Sequence, residues 1–275
     1  MPDGMHPFVR LLRTYCIDYT NSHDQSLYDE IMDPGYVVNS FGMRLARDEA
    51  YARGVKVLFR RAPGLGLVVH ELVLDGDRLA MHFSEHAAVP AGDGRALTCW
   101  RGIGLYRWDG RRLLENWVEQ DHFSMRRQVA TRTPDPLLPP HLDPWMWTRP
   151  VAPDGEAEAV VRAWLDRADL TAAADVHVDD TRVAGVGYEP VLDVDEVVVD
   201  DLFSAGGSVP FHVTWKGRYR GGLGPACEDH LGRPGEMGVA GIARVADGEV
   251  VRVEAVTCRA QAVSSITGTP LDIGF

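Results

Sequence analysis

Lysine and cysteine are scarce in this chain. Of 275 residues only Lys56 and Lys216 are lysine, arginine supplies the rest of the positive charge, and the formal net charge is −12. So acidic a chain disfavours nucleic-acid partners, whose phosphates must be met by cations. The four cysteines, Cys16, Cys99, Cys227 and Cys258, suggest no disulfide framework and have no metal-ligand spacing. No two histidines and a carboxylate stand at a convincing metal spacing either, so no metal is expected. No apolar run approaches a membrane span, and the opening MPDGMHPFVRLL lacks a signal-type apolar core. A Gly-x-Ser-x-Gly elbow and a phosphate-cradling loop are missing too. With 45% hydrophobic and 25% charged residues the composition is that of an ordinary globular protein. These exclusions predict a reduced, cytoplasmic enzyme or binding protein without nucleic-acid or membrane partners.

What is present reads as helices first and strands after. Phe8, Leu11, Leu12, Tyr15 and Tyr19 recur at helical spacing and predict a helix over 7–20. Shorter helices are expected near 25–32 and 47–60, with a first strand at 36–40 between them. Strands follow at 67–74, 78–85 and 96–108, punctuated by turns at Asp75-Gly76-Asp77 and Gly92-Asp93-Gly94. Helices followed by a meander of antiparallel strands means α+β.

The stretch Leu113–Gln128, LLENWVEQDHFSMRRQ, carries the sharpest signal. It opens as a strand with Trp117, Glu119 and Asp121 on one face. A face mixing an indole with carboxylates must border a cavity, a partner or water. In a partly dry cavity a carboxylate becomes a better base. Asp109-Gly110-Arg111, Glu115, Trp117, Asp121, Ser124-Met125 and Gln128 resemble the closing strand of SnoaL-like polyketide cyclases, within the nuclear transport factor 2-like superfamily. The resemblance covers roughly residues 8–128. It implies a cone-shaped α+β roll, a curved sheet wrapped around helices with a pocket between them, and a catalytic base at Asp121. Two departures stand out. Asn39 occupies a first-strand position where some relatives carry His or Asp, and Ser84-Glu85-His86-Ala87 replaces a Gly-Thr-His-x-Gly segment.

From Thr131 the texture changes, with seven prolines between Pro134 and Pro153. This predicts an extended linker over 131–154, in which Trp145 and Trp147 pack onto a unit or seal a groove. A helix over 156–166 then opens a second unit. Val68–Leu72 reads like Val198–Leu202, and without a gap Gly76 lies opposite Gly206 and His82 opposite His212. Asp109-Gly110 matches Asp247-Gly248, which sets Trp117 against Ala255 and Asp121 against Arg259. The expected organisation is a catalytic unit at 1–130 and a reduced copy at 155–275, the two forming a pseudo-dimer within one chain. Pairing into a further homodimer stays open.

Asp121 is the expected proton acceptor, with the alternative of a helix cap. Glu119 shares its face and either assists it or forms a salt bridge. His82 is the expected second catalytic group, although its repeat as His212 suits a structural role. Tyr15 and Tyr19, one helical turn apart, are candidates to polarise a carbonyl. Asn39, Trp100 and Trp117 complete the expected substrate-binding set. The implied activity is cofactor-independent acid/base chemistry on a small hydrophobic, cyclic or polyketide-like molecule: cyclisation, isomerisation or dehydration. Epoxide opening and a non-catalytic ligand-binding module are the alternatives.

Overall fold

A computed structural model describes residues 4–92, 94–181 and 188–271. The first unit is a six-stranded mixed sheet in the order β2-β1-β6-β5-β4-β3. Its strands are β1 (Met32–Ser40), β2 (Met43–Ala46), β3 (Gly66–Leu74), β4 (Arg78–Ala91), β5 (Gly94–Trp108) and β6 (Leu113–Gln120). The second is a five-stranded sheet in the order β7-β11-β10-β9-β8. It comprises β7 (Asp175–Val178), β8 (Leu192–Leu202), β9 (Ser208–Tyr219), β10 (Pro234–Ala246) and β11 (Glu249–Thr257). The architecture is α+β in two units, the second reduced. Of the expected turn at Gly92-Asp93-Gly94, Asp93 lies outside the described residues.

Helix α1 (Pro7–Arg13) starts where Pro7 needs no amide donor and His6 Nδ1 caps the Phe8 amide at 3.3 Å. It runs on as wider π-helical turns over Thr14–Asn21. Phe8, Leu12 and Cys16 are fully buried against Leu79, Met81 and Tyr106 of the sheet. Each such apolar side chain contributes roughly 2 kcal/mol. A short helix, α2 (Tyr28–Ile31), leads straight into β1, so the strand expected at 36–40 starts earlier, with an irregularity between Met32 and Val37. The sequence reading missed β2. Phe41 and Gly42, with φ of 58° and 71°, make the tight turn that joins it to β1. Both positive φ values suit a primed hairpin turn, which Phe-Gly announces far less clearly than Asn-Gly. Helix α3 (Ala52–Arg61) then crosses the open side of the sheet with none of its residues fully buried.

After β6 comes α4 (His122–Thr131), then a connection whose one helical turn is α5 (Pro144–Trp147). Trp145 packs against the first unit's core, but Trp147 is 61% exposed and seals nothing. Helix α6 (Gly155–Leu165), capped by Asp154, opens the second unit, and α7 (Arg259–Thr267) follows β11. Among the described residues the second unit has no helical layer like that of the first. Trp164, Phe211, Trp215 and Tyr219 fill its interior instead.

The units pack sheet to sheet. Ala80, Ile103 and Leu105 of the first meet Phe203, Ala240 and Ile242 of the second. The same contacts recur with the units exchanged. A bulge between Val69 and Glu71 recurs between Val199 and Asp201. Arg107 pairs with Asp201, and Arg244 with Glu71. The ladders correct one expectation. Ile103 lies opposite both His82 and Glu119, and Ala240 opposite both His212 and Val256. Glu119 therefore corresponds to Val256, Trp117 to Glu254 and Asp121 to Cys258. The Asp-Gly pair sits one residue later within the second turn, so matching the turns shifts the final strand by one. A shift of one exchanges the faces of a strand.

Candidate functional site

The concave face of the first sheet encloses a cavity of about 380 Å³. Its position follows from strand alternation. Phe83 and Glu85 of β4, Tyr106 of β5 and Asn116, Val118 and Gln120 of β6 point inward, while α3 closes the far side with Val55 and Leu58. Gly104 lets the Tyr106 ring lie flat beside Asn116, because a Cβ there would meet both side chains at about 3 Å.

Glu85 is the only carboxylate among the described residues lining this cavity. It is 6% exposed, and its Oε2 has no hydrogen-bond partner among the described residues. Burial raises its carboxyl to about 7, against a smaller lowering effect of the Trp100 indole. Such a group shuttles protons near neutrality. The Tyr15 and Tyr51 hydroxyls, 3.3 Å apart, line the same cavity. Burial raises both, so they remain protonated donors. His122 also lines it, and burial lowers its imidazole to about 3, so the ring is neutral.

Of the residues expected from the sequence, Tyr15 alone lines the cavity. Tyr19 is buried and stacks on Tyr15 at 5.7 Å without reaching the space. Trp100 is buried at its border, its Nε1 donating to Gln120 at 2.7 Å.

Asp121 and His82 lie on the other face of the sheet. Asp121 is 1% exposed; its Oδ1 accepts from the Ser124 amide at 3.0 Å and from Arg259 of the second unit at 2.6 Å. It caps α4 and anchors the unit interface. His82 accepts from Arg101 Nε at 3.2 Å. Burial and the neighbouring Arg101 hold its imidazole far below the ordinary value, so it is a neutral structural acceptor. Neither of these two expected catalytic groups lines the cavity.

Asn39, Trp117 and Glu119 do come together, though in a different place. They line a separate crevice of about 330 Å³ between the two sheets. There His212 Nε2 meets Glu119 Oε1 at 3.2 Å and its Nδ1 meets Asp200 Oδ2 at 2.9 Å. Burial lowers this imidazole, but the two carboxylates outweigh it and bring it up to about 9. His212 is accordingly expected to titrate near 9 in an imidazole NMR titration. Its stabilising contribution is complete below the ordinary value of 6.5 and is lost as pH rises through about 9. That contribution is about 3 kcal/mol. A midpoint below 7 would show that the two carboxylates do not hold the proton.

Among the described residues no group of three or more His, Cys, Asp or Glu side chains is placed to hold a metal ion. No described helix is long and apolar enough to cross a membrane.

No family model matches the sequence, and no curated protein matches it. Solved structures resemble about half of the chain. A protein from Acidithiobacillus ferrooxidans named as a polyketide cyclase aligns at 21% identity over 48% of this chain and all of its own, with a TM-score of 0.42. IdmH from Streptomyces antibioticus, also named as a polyketide cyclase, aligns at 18% identity over 45% of this chain and 98% of its own, TM-score 0.40. AclR from Streptomyces galilaeus, named as a hydroxylase, aligns at 16% identity over 46% of this chain and 98% of its own, TM-score 0.40.

Proposed function

We propose that the first unit is a cofactor-independent acid/base enzyme with Glu85 as its proton-transfer group. The observation that carries this reading is a single carboxyl, raised to about 7, in an otherwise largely apolar cavity. The substrate class is a small hydrophobic carbonyl compound with an acidic α-hydrogen. Glu85 takes the proton from the carbon, and the electron pair moves onto the carbonyl oxygen. The Tyr15 and Tyr51 hydroxyls stabilise that oxyanion by donating to it, while Phe83, Val55 and Leu58 exclude water. In a β,γ-unsaturated substrate, return of the proton from Glu85 to the γ-carbon gives isomerisation; attack of the carbanion on a second carbonyl, whose oxygen takes the proton back, gives cyclisation. Epoxide opening is the weaker reading, since it is best served by a second carboxylic acid beside the base. The second unit serves as a built-in dimer partner that covers the outer face of the first sheet.

The test is hydrogen–deuterium exchange by NMR on a panel of cyclic ketones and 1,3-diketones with wild-type protein, Glu85→Gln and Asp121→Asn. Catalysed exchange is expected to drop by about 10³-fold in Glu85→Gln. Asp121→Asn should stay within about threefold of wild type, because its carboxylate does not line the cavity. Exchange that survives Glu85→Gln, or that disappears only in Asp121→Asn, would return the role to the acid at the interface.

A further inference from the structure

The two-fold relation between the units exposes a difference that the proposed reaction does not use. Two equivalent grooves flank the sheet-to-sheet interface. In one, Arg101 of β5 pairs with Glu254 Oε2 across the interface at 2.7 Å, donates to the Asp179 carbonyl at 2.6 Å and to His82 of its own sheet at 3.2 Å. The residue equivalent to Arg101 in the second unit is Gly238. The Arg101 carbonyl accepts from the Asp121 amide, and the Gly238 carbonyl from the Cys258 amide, each at 2.8 Å. Arg101 pairs across its ladder with Ser84, and Gly238 with Thr214. Removal of the whole side chain leaves the crevice that holds Asn39, Trp117, Glu119 and His212. A Cβ on Gly238 would collide with the Glu119 carboxylate, so a side chain there would displace that group.

The crevice is lined by half-satisfied polar groups. Asp200 Oδ2 takes both His212 and the Thr214 hydroxyl, and Asp200 Oδ1 makes no hydrogen bond among the described residues. Gln261 Oε1 accepts from the Gly238 amide at 2.8 Å, and its Nε2 has no hydrogen-bond partner among the described residues. Asn39 Nδ2 donates to Glu115 at 3.0 Å, and its Oδ1 has no hydrogen-bond partner among the described residues. The crevice carries charge of both signs: the imidazolium of His212 lies between Glu119 and Asp200, and Arg44 and Glu236 also line it. The Trp117 indole, 4.9 Å from the His212 ring, supplies an apolar wall.

We propose that this crevice is a second binding site, for a small neutral polyol of monosaccharide size. Alternating free donors and acceptors match a ring of hydroxyls, each of which both donates and accepts. An indole matches the C–H face of such a ring. A volume of about 330 Å³ lies at the small end of ligand pockets. The proposal stands independently of Glu85.

Titration calorimetry with myo-inositol and with D-glucose tests it, using the intact chain. Saturable binding of one of them is expected. Thr214→Val and Gln261→Leu should each weaken it about fivefold or more, the loss of one neutral hydrogen bond. Glu85→Gln should leave it unchanged, so loss of the acid/base reading would not touch this result. Absence of saturable binding by wild-type protein up to about 50 mM of either polyol overturns the proposal. Binding that survives both crevice variants overturns it as well.

Discussion

Glu85→Gln is expected to make the protein more stable at pH 8 while removing its acid/base activity. The unfolded chain releases this proton near 4.5, and the folded chain holds it to about 7. Between those values the native state binds more protons than the unfolded state, so stability falls as pH rises through the window. Above it the full cost is present, about 3 kcal/mol for a carboxylate kept ionised in an apolar cavity. Glutamine stays neutral but still buries an amide, which leaves a net gain of about 2 kcal/mol at pH 8. Below pH 4.5 both side chains are neutral and the sign should reverse, leaving Glu85→Gln about 1 kcal/mol less stable than wild type. Urea melts of the two proteins at pH 4.5 and pH 8 measure the difference. Equal stability at both pH values would mean that Glu85 is better solvated than the cavity indicates.

The same titration fixes the sign of the activity profile. As a general base Glu85 works only when ionised, so kcat/KM should rise with pH through about 7 and then level off. Neutral His122 and the protonated tyrosines do not titrate there. A group that costs stability in its working form is what a site with a function retains.

The α+β class, the Pro-rich connection and the repeat follow directly from periodicity and turn residues. The site follows less directly. Trp117, Glu119 and Asp121 do share one face of β6, and that face does need something beyond solvent. Periodicity alone does not tell a ligand from a second sheet. The better signal lay on β4. Glu85 has the parity of Leu79, Met81 and Phe83, and the strand runs on through Ala87 and Val89, all buried. One carboxylate within a continuous apolar stripe is costly unless it has a purpose. That signal is easily passed over when the strand is ended at Glu85, where the residue reads as a strand terminus. Matching the two Asp-Gly turns hid the interface in a similar way. It set Arg259 in the place of Asp121, whereas the two side chains are partners.

That partnership carries the second large effect. Arg259 reaches Asp121 at 2.6 Å, Asp180 at 2.9 Å and Asp179 at 3.5 Å, with its guanidinium 4.7 Å from the centre of the Phe123 ring. Asp121 and Asp179 are 1% and 2% exposed. Arg259→Met keeps the apolar contact with Phe123 but leaves both buried carboxylates without that cation. Breaking a buried ion pair from one side costs about 3–5 kcal/mol, and a similar loss is expected here. Asp121→Asn should cost only about 1 kcal/mol, because an amide oxygen still caps the Ser124 amide. The loss in Arg259→Met should depend on pH. Burial already raises Asp179, Arg259 opposes the rise and Asp121 adds to it. Without the guanidinium Asp179 rises further, so the variant sheds stability as pH climbs above the ordinary carboxylate value and recovers part of it near pH 5. Combining the two substitutions should restore about 1–2 kcal/mol relative to Arg259→Met alone, since one of the stranded charges is gone. Urea melts of the wild type and the three variants at pH 5 and pH 8 measure these differences. Simple additivity, or a loss independent of pH, would mean that Arg259 acts by packing alone and that the two units are not joined through this charge cluster.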